Sequence, residues 1–109
     1  MPLKPVEALI LLMLSSRDRH GYGIRQDILE YTRGEMELEA GNLYRHIRQL
    51  EAGGYLGPTA RRPGPDEDER RIYYRLTAAG RRALSAEMLR LRALVRLAEE
   101  RGVIAQAGA

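Results

Sequence analysis

The sequence predicts a mainly α-helical protein with a small β-hairpin. Three segments with helical spacing of apolar residues come first, two strand-like segments around a polar loop follow, and a long apolar-periodic segment ends the chain. A length of 109 residues suits one domain, or one domain and an appendage. Three helices followed by a hairpin is the element order of a winged helix-turn-helix, here with a long C-terminal helix.

Two helices are expected in the first third of the chain. The first runs from Pro5 to Ser16, because apolar residues recur at helical spacing and proline suits the first turn. The second runs from about Tyr22 to Thr32, and Gly34 is placed to end it. The segment between them is interpreted as a polar break, in which the glycines of HGYGI relax the backbone at the helix entry.

The third helix begins at Gly41 and is closed by Gly53 and Gly54. Its apolar residues are four and three apart, so they form one narrow stripe that anchors the helix. The opposite face carries residues that can read DNA, since arginine donates to guanine or phosphate, amides pair with adenine and a phenol reaches phosphate. The alternative is an ordinary polar surface. The predicted DNA-binding residues of this helix are Gly41, Asn42, Tyr44, Arg45, Arg48 and Gln49.

The hairpin is expected from two strands, Tyr55–Arg61 and Arg70–Leu76, around the loop Arg62–Glu69. Two arginine pairs would meet at its base, where they could hold phosphates or enter a minor groove. They could instead only protect edge strands from aggregation. The acidic tip Asp66–Glu69 would then either point away from DNA or neutralise the arginines when DNA is absent. The tip lacks the ligand pattern of a calcium loop. The predicted wing contacts are Arg61, Arg62, Arg70 and Arg71.

The last helix is expected over Ala78–Arg101, with Thr77 as its N-cap, Gly102 as its end and a frayed tail to Ala109. Apolar residues of this helix recur at heptad spacing and form a seam, and a second apolar stripe lies beside it. One small domain cannot bury both, which favours a homodimer. A palindromic operator also requires a two-fold protein. Alternatively, one stripe packs within the chain and the other is exposed. The predicted dimerisation residues are Leu84, Met88, Leu91, Val95 and Ala98.

Catalysis, a metal site and a cofactor are not expected. The chain has no cysteine, and its two histidines, His20 and His46, are interpreted as structural or surface groups. The apolar run Ala8–Leu14 is too short to span a membrane and no signal peptide is recognised, so a cytoplasmic location is predicted. The net charge of +3 indicates a mild preference for polyanions.

With these residues in view, the chain resembles the PadR family of bacterial transcriptional regulators. The similarity runs from HGYGI through GNLYRHIRQLEAGGYL to RRIYYRLTAAGRRAL, roughly Val6 to Leu91. The resemblance implies a winged helix-turn-helix homodimer of the short form, with one C-terminal helix, that represses nearby genes and in some members is released by a small-molecule effector. It assigns residues 1–77 to DNA binding and 78–109 to dimerisation.

Several positions depart from the family pattern. Glu39 stands where members commonly have a small hydroxyl residue, so a weaker N-cap is expected for the third helix. Asn42 and Arg45 stand where many members have threonine and proline, which predicts a different base preference. The chain has no tryptophan and no phenylalanine, so an aromatic drug-binding pore is not expected. The alternative function is a winged-helix protein–protein adaptor.

Overall fold

The computed structural model describes residues 3–59 and 71–106. Within these ranges the chain forms four helices and a three-stranded antiparallel sheet, which confirms the predicted fold class. In chain order the elements are α1 (Pro5–Leu14), β1 (Arg19–His20), α2 (Gly21–Tyr31), α3 (Ala40–Ala52), β2 (Leu56–Pro58), β3 (Tyr73–Leu76) and α4 (Ala78–Glu100).

The sheet contains a short strand that the sequence did not predict. β1 lies in the segment interpreted as a polar break, and it pairs with β3 through Arg19 opposite Tyr74 and His20 opposite Tyr73. β2 pairs with the other edge of β3, which gives the order β1-β3-β2. The wing is therefore attached along one side to the segment that leads into α2.

The position of β3 also changes which of its side chains are buried. If the strand began at Arg70, alternation would place Ile72 on the same face as Tyr74. Ile72 is instead 59% exposed, and Tyr73 is buried beside Tyr74. Tyr73 packs edge-to-face against the buried imidazole of His20, with ring centroids 5.2 Å apart. The added strand β1 thus pairs with the edge of β3 that a two-stranded hairpin would leave open, and its His20 side chain packs against Tyr73.

The core lies where α1, α2 and α3 meet and is closed by the sheet. Its fully buried side chains are aliphatic and come from each of the three helices and from β2. The predicted stripe of α3 is part of this core, so the helix is anchored as expected. The largest of these buried side chains are Ile10, Leu11, Ile24, Ile28, Leu43, Ile47 and Leu56.

The ends of the helices follow the glycine pattern of the sequence. Gly34, Gly54 and Gly102 have φ angles of 80°, 80° and 74°, and they follow α2, α3 and α4. Arg33, beside Gly34, also has a positive φ of 53°, which non-glycine residues rarely adopt. At the start of α4, the Thr77 hydroxyl accepts a hydrogen bond from the Gly80 N–H, so Thr77 is the N-cap, as predicted.

Helix α4 is the longest element of the described chain. Its 23 residues correspond to a length of about 34 Å. Its first half packs against α1, whereas most residues of its second half are exposed. Within residues 3–59 and 71–106, none of the helices is long and apolar enough to cross a membrane.

Candidate nucleic-acid interface

Helix α3 presents all of its predicted DNA-binding residues to solvent. The apolar stripe of Leu43, Ile47 and Leu50 is buried, so the helix has one fixed orientation in the domain. On the opposite side the exposed residues form one continuous surface, which we call the α3 outer face. It consists of Gly41, Asn42, Tyr44, Arg45, Arg48 and Gln49. Small residues, amides and guanidinium groups on one exposed face are suited to a major groove.

Contacts from Arg25 of α2 fix the segment that leads into α3. Arg25 donates through Nε to the carbonyl oxygen of Leu38 at 2.5 Å, and its Nη2 lies 3.9 Å from the Glu37 carboxylate. The N-cap residue Glu39 is extended, and within the described chain its side chain makes no capping hydrogen bond, in line with the weak cap expected from the sequence. The contacts of Arg25 with the connector between α2 and α3 therefore fix the start of α3, although its N-cap residue makes no capping hydrogen bond.

The start of α2 is organised by His20, which the sequence indicated as a structural or surface group. Its Nδ1 accepts a hydrogen bond from the Gly23 N–H at 2.9 Å, so His20 is the N-cap of α2. The ring is 7% exposed, and its Nε2 lies 3.1 Å from Nη1 of Arg71. This contact brings the base of the wing to the beginning of the helix-turn-helix.

The glycines of HGYGI act through close packing. A Cβ on Gly21 would lie 2.6 Å from the Tyr44 hydroxyl oxygen, and one on Gly23 would overlap the Arg19 guanidinium. Both glycines lie within α2 and have no positive φ. The interpretation that they relax the backbone is therefore corrected: they leave room beside α2 for the Tyr44 phenol and the Arg19 guanidinium.

Arginine 71 is the predicted wing residue that the structure describes. Its guanidinium lies 5.0 Å from the centroid of the Tyr22 ring, in a cation–π arrangement. Tyr22 itself is 48% exposed and was not predicted as a functional residue. Arg61, Arg62, Arg70 and the acidic tip Asp66–Glu69 lie outside the described residues.

Ion pairs and burial stabilise the frame around this surface. Asp27 on α2 accepts from Arg19 at 3.1 and 3.3 Å, and this hydrogen bonding raises the pKa of the Arg19 guanidinium. On β3, burial raises the pKa of the Tyr74 phenol, while the nearby Arg48 acts in the opposite direction. Tyr74 is buried, and its phenol therefore favours the neutral form.

The predicted seam of α4 divides into two parts. Leu84 is 6% exposed and belongs to the core of its own chain, and Met88 packs against that core. Leu91 and Val95 are 37% and 48% exposed, and Ala98 is half-buried. The sequence assigned all five residues to a second chain, whereas the first of them serves intrachain packing. The remainder of the seam stays a prediction.

A groove of about 410 Å³ lies between α1 and α4 beside this seam. Leu9, Leu12 and Leu91 are among its apolar lining residues. On one side it contains the carboxylate of Glu87, which is 5% exposed and accepts from Arg90 at 2.5 and 3.1 Å. These hydrogen bonds from Arg90, with the backbone N–H of Leu3, hold the pKa of Glu87 below its usual range.

The described residues also show where the second histidine lies. His46 is half-buried on α3, and its buried Nδ1 has no hydrogen-bond partner among them. Across residues 3–59 and 71–106, no three His, Asp or Glu side chains are close enough together to hold a metal ion.

The sequence matches a known family of regulators. The model of the transcriptional regulator PadR-like family matches residues 10–86, which is most of the chain. The protein belongs to the PadR-like family of transcriptional regulators. The matched PadR-like region contains the helix-turn-helix, the wing and the first part of α4, and it ends before the exposed apolar half of that helix.

Relatives of this PadR-like chain are similar over most of its length. Uncharacterized protein X of Lysinibacillus sphaericus is 29% identical over 84 residues, which cover 73% of this chain and 72% of that protein. A transcriptional regulator from Clostridium thermocellum is 25% identical and superposes with a TM-score of 0.73, with 87% of each chain covered. PadR of Bacillus subtilis, solved in complex with operator DNA, is 19% identical, with a TM-score of 0.64 over 78% of this chain and 47% of that chain. At this identity the last similarity shows the fold alone.

Proposed function

We propose that this PadR-like regulator is a cytoplasmic, non-enzymatic repressor that binds a palindromic operator as a homodimer. The α3 outer face carries the proposal, because six exposed residues suited to base and phosphate contacts lie opposite a fully buried anchoring stripe. In this function residues 1–77 are the DNA-binding unit and residues 78–109 the dimerisation unit. The division is functional, since Leu84 of α4 lies in the core of the first unit.

The two arginines of the α3 outer face would provide direct readout. Arg45 and Arg48 are one turn apart and exposed, a spacing that lets both guanidinium groups reach the same groove. Asn42 and Gln49 flank them and offer amide groups that pair with adenine. B. subtilis PadR, which has this fold, was solved with operator DNA, and this supports the same use of the fold here.

The second chain would pack on the exposed half of α4. Leu91, Leu94 and Val95 are between 37% and 50% exposed, and Leu91 also lines the groove between α1 and α4. Apolar side chains of this size are stabilised by burial, and a two-fold arrangement would place one α3 in each of two successive major grooves, about 10 base pairs apart. A small-molecule effector that entered the groove would change this contact and release the DNA.

The wing would hold the flanking backbone. Arg71 is exposed at the start of β3, beside the entry to α2, and Arg61, Arg62 and Arg70 are proposed to act with it. Such contacts contribute affinity on any sequence and make binding sensitive to salt.

The experiment that tests this function is selection of genomic DNA fragments by the purified full-length protein, followed by electrophoretic mobility shifts. We expect enrichment of fragments that share a palindromic motif near a promoter, and loss of the specific shift in Arg48→Ala. Failure to retain any duplex at low salt would reject the proposal. A protein–protein adaptor, the alternative function, would keep its cellular effect when Arg45 and Arg48 are both changed to Glu.

A further inference from the structure

Glu39 is the N-cap residue of α3 and is exposed to solvent. Its side chain makes no capping hydrogen bond with the first turn of the helix. Within residues 3–59 and 71–106 its carboxylate also has no cation or side-chain donor as a partner. An acid that neither caps its helix nor pairs with a neighbouring group is available to a ligand.

The backbone of Glu39 is held on both sides, so its side chain starts from a fixed point. The carbonyl oxygen of Leu38 accepts from Nε of Arg25 at 2.5 Å, and that of Glu39 accepts from the Leu43 N–H at 3.0 Å. Nη2 of Arg25 lies 3.9 Å from the carboxylate of Glu37. The guanidinium of Arg25 is therefore engaged with the two residues that precede Glu39.

The first turn of α3 projects from the domain. Ala40, Gly41 and Asn42 follow Glu39 and are all exposed, and a Cβ on Gly41 would meet no atom within 4 Å. The N-terminal residues of a recognition helix are the ones that contact base edges in the major groove. Because Ala40 and Gly41 are small, the longer side chain of Glu39 would reach the bases beside them.

A carboxylate in a major groove has few favourable partners. Phosphate oxygens and the two acceptors of guanine repel it, and the amino group of adenine lies beside an acceptor nitrogen. Cytosine presents its N4 amino group without an acceptor on its own edge, so it is the base that a carboxylate selects. The chemistry of Glu39 therefore indicates one base.

We propose that Glu39 determines operator specificity by accepting a hydrogen bond from the N4 amino group of a cytosine in each half of the operator. The proposal rests on the proposed DNA-binding function and adds a residue outside the α3 outer face. Glu39 and Arg45 are six residues apart, which is about 9 Å along a helix axis. Because successive bases are about 3.4 Å apart, the cytosine should lie within about three base pairs of the base that Arg45 contacts.

The test uses the full-length protein and a duplex that it selects from genomic DNA, with each base pair replaced in turn in both halves of the operator. Fluorescence anisotropy measures binding. We expect one position at which replacing cytosine weakens wild-type binding about tenfold. Glu39→Gln should lose this preference and favour adenine, because an amide donates to N7 and accepts from the N6 amino group. Glu39→Ser should lose it while the melting temperature stays the same or rises, since serine is a strong N-cap.

A matched control separates a base contact from the general effect of charge. Glu35→Gln removes the same charge from an exposed residue of the same connector, four residues earlier in the chain. This variant should keep the wild-type base preference at every position of the operator.

The possible failures are distinguishable. If Glu39→Gln and Glu39→Ser keep the wild-type base preference at every position, the Glu39 proposal is overturned and the regulator proposal stands. A lower melting temperature in both, with that preference unchanged, would assign Glu39 to the helix dipole. If Glu39→Gln binds all duplexes more tightly by one factor, the carboxylate only repels phosphates, and the Glu39 proposal is again overturned. If wild type binds no duplex, both proposals fail.

Discussion

The carbonyl oxygen of Tyr55 occupies the space that a side chain at position 80 would need. A Cβ on Gly80 would overlap this oxygen, and it would also lie 2.8 Å from Cδ1 of Leu76. The same carbonyl accepts a hydrogen bond from the Thr77 N–H at 3.2 Å. The glycine three residues after Thr77 is therefore required by the close approach of α4 to the turn after α3.

Gly80→Ala should lower the free energy of unfolding by about 1–3 kcal/mol, because backbone must move to make room for the methyl group. The measurement is urea unfolding followed by circular dichroism. Gly41→Ala is the matched control, since a Cβ there meets no atom within 4 Å and α3 should gain up to about 1 kcal/mol from the better helix former. Equal effects of the two substitutions would contradict this account.

Arg33→Gly should raise the free energy of unfolding by roughly 0.5–1 kcal/mol. Arg33 has a φ of 53°, a conformation that costs an L-residue about 1–2 kcal/mol, and the greater entropy of an unfolded glycine offsets part of the gain. Thermal unfolding measures the effect. As a control, Arg82→Gly within α4 should destabilise the protein by about 1 kcal/mol. A loss of stability in Arg33→Gly would show that its side chain matters more than its backbone.

Glu87 should make the protein sensitive to acid. Its pKa in the folded chain is lowered, chiefly by hydrogen bonds from Arg90, so its stabilising effect is complete above the ordinary value of 4.5 and is lost as pH falls below that value. Glu87→Gln should flatten the decrease of the melting temperature below pH 4.5. Glu100→Gln, an exposed residue of the same helix, should keep the wild-type pH profile.

Arg45→Ala and Arg48→Ala should each weaken specific operator binding by roughly 1–3 kcal/mol, while binding to unrelated duplexes changes little. Fluorescence anisotropy with both kinds of duplex measures the difference. Arg92→Ala on α4 is the control. A uniform loss on all sequences would mean that these arginines contact phosphates and do not read bases.

Val95→Glu should convert the proposed dimer into single chains, because it places a charge within the exposed continuation of the α4 seam. Sedimentation measures the mass, and the thermal stability of the domain should change little since Val95 is 48% exposed. Leu89→Glu lies about 120° away around the helix and should remain a dimer. A wild type that sediments as a single chain would remove the basis of this prediction.

Periodic patterns and glycine stops were enough to predict the main elements. The stripe of Leu43, Ile47 and Leu50 and the N-cap Thr77 are as expected, because each depends on residues close together in the chain. β1 could not be predicted, since a two-residue strand has no pattern of its own and exists only through its pairing with β3.

The candidate site could be predicted in part for the same reason. The exposed residues of α3 follow from helix geometry. The contact between His20 and Arg71 joins residues 51 positions apart, and the burial of Glu87 depends on the approach of α1. Such features arise from tertiary packing and leave no local signal. HGYGI was the available signal for the α2 entry, although it did not reveal why the glycines are needed.

The Thr77 hydroxyl that caps α4 also donates to the carbonyl oxygen of Gly54 at 2.6 Å. One side chain thus joins the turn that ends α3 to the first turn of α4. A tilt of α4 would therefore move this turn, and with it the C-terminal end of α3. In a two-fold assembly, a ligand that altered the crossing angle of the two α4 helices by a few degrees would thereby change the distance between the two α3 helices without any rearrangement of the core.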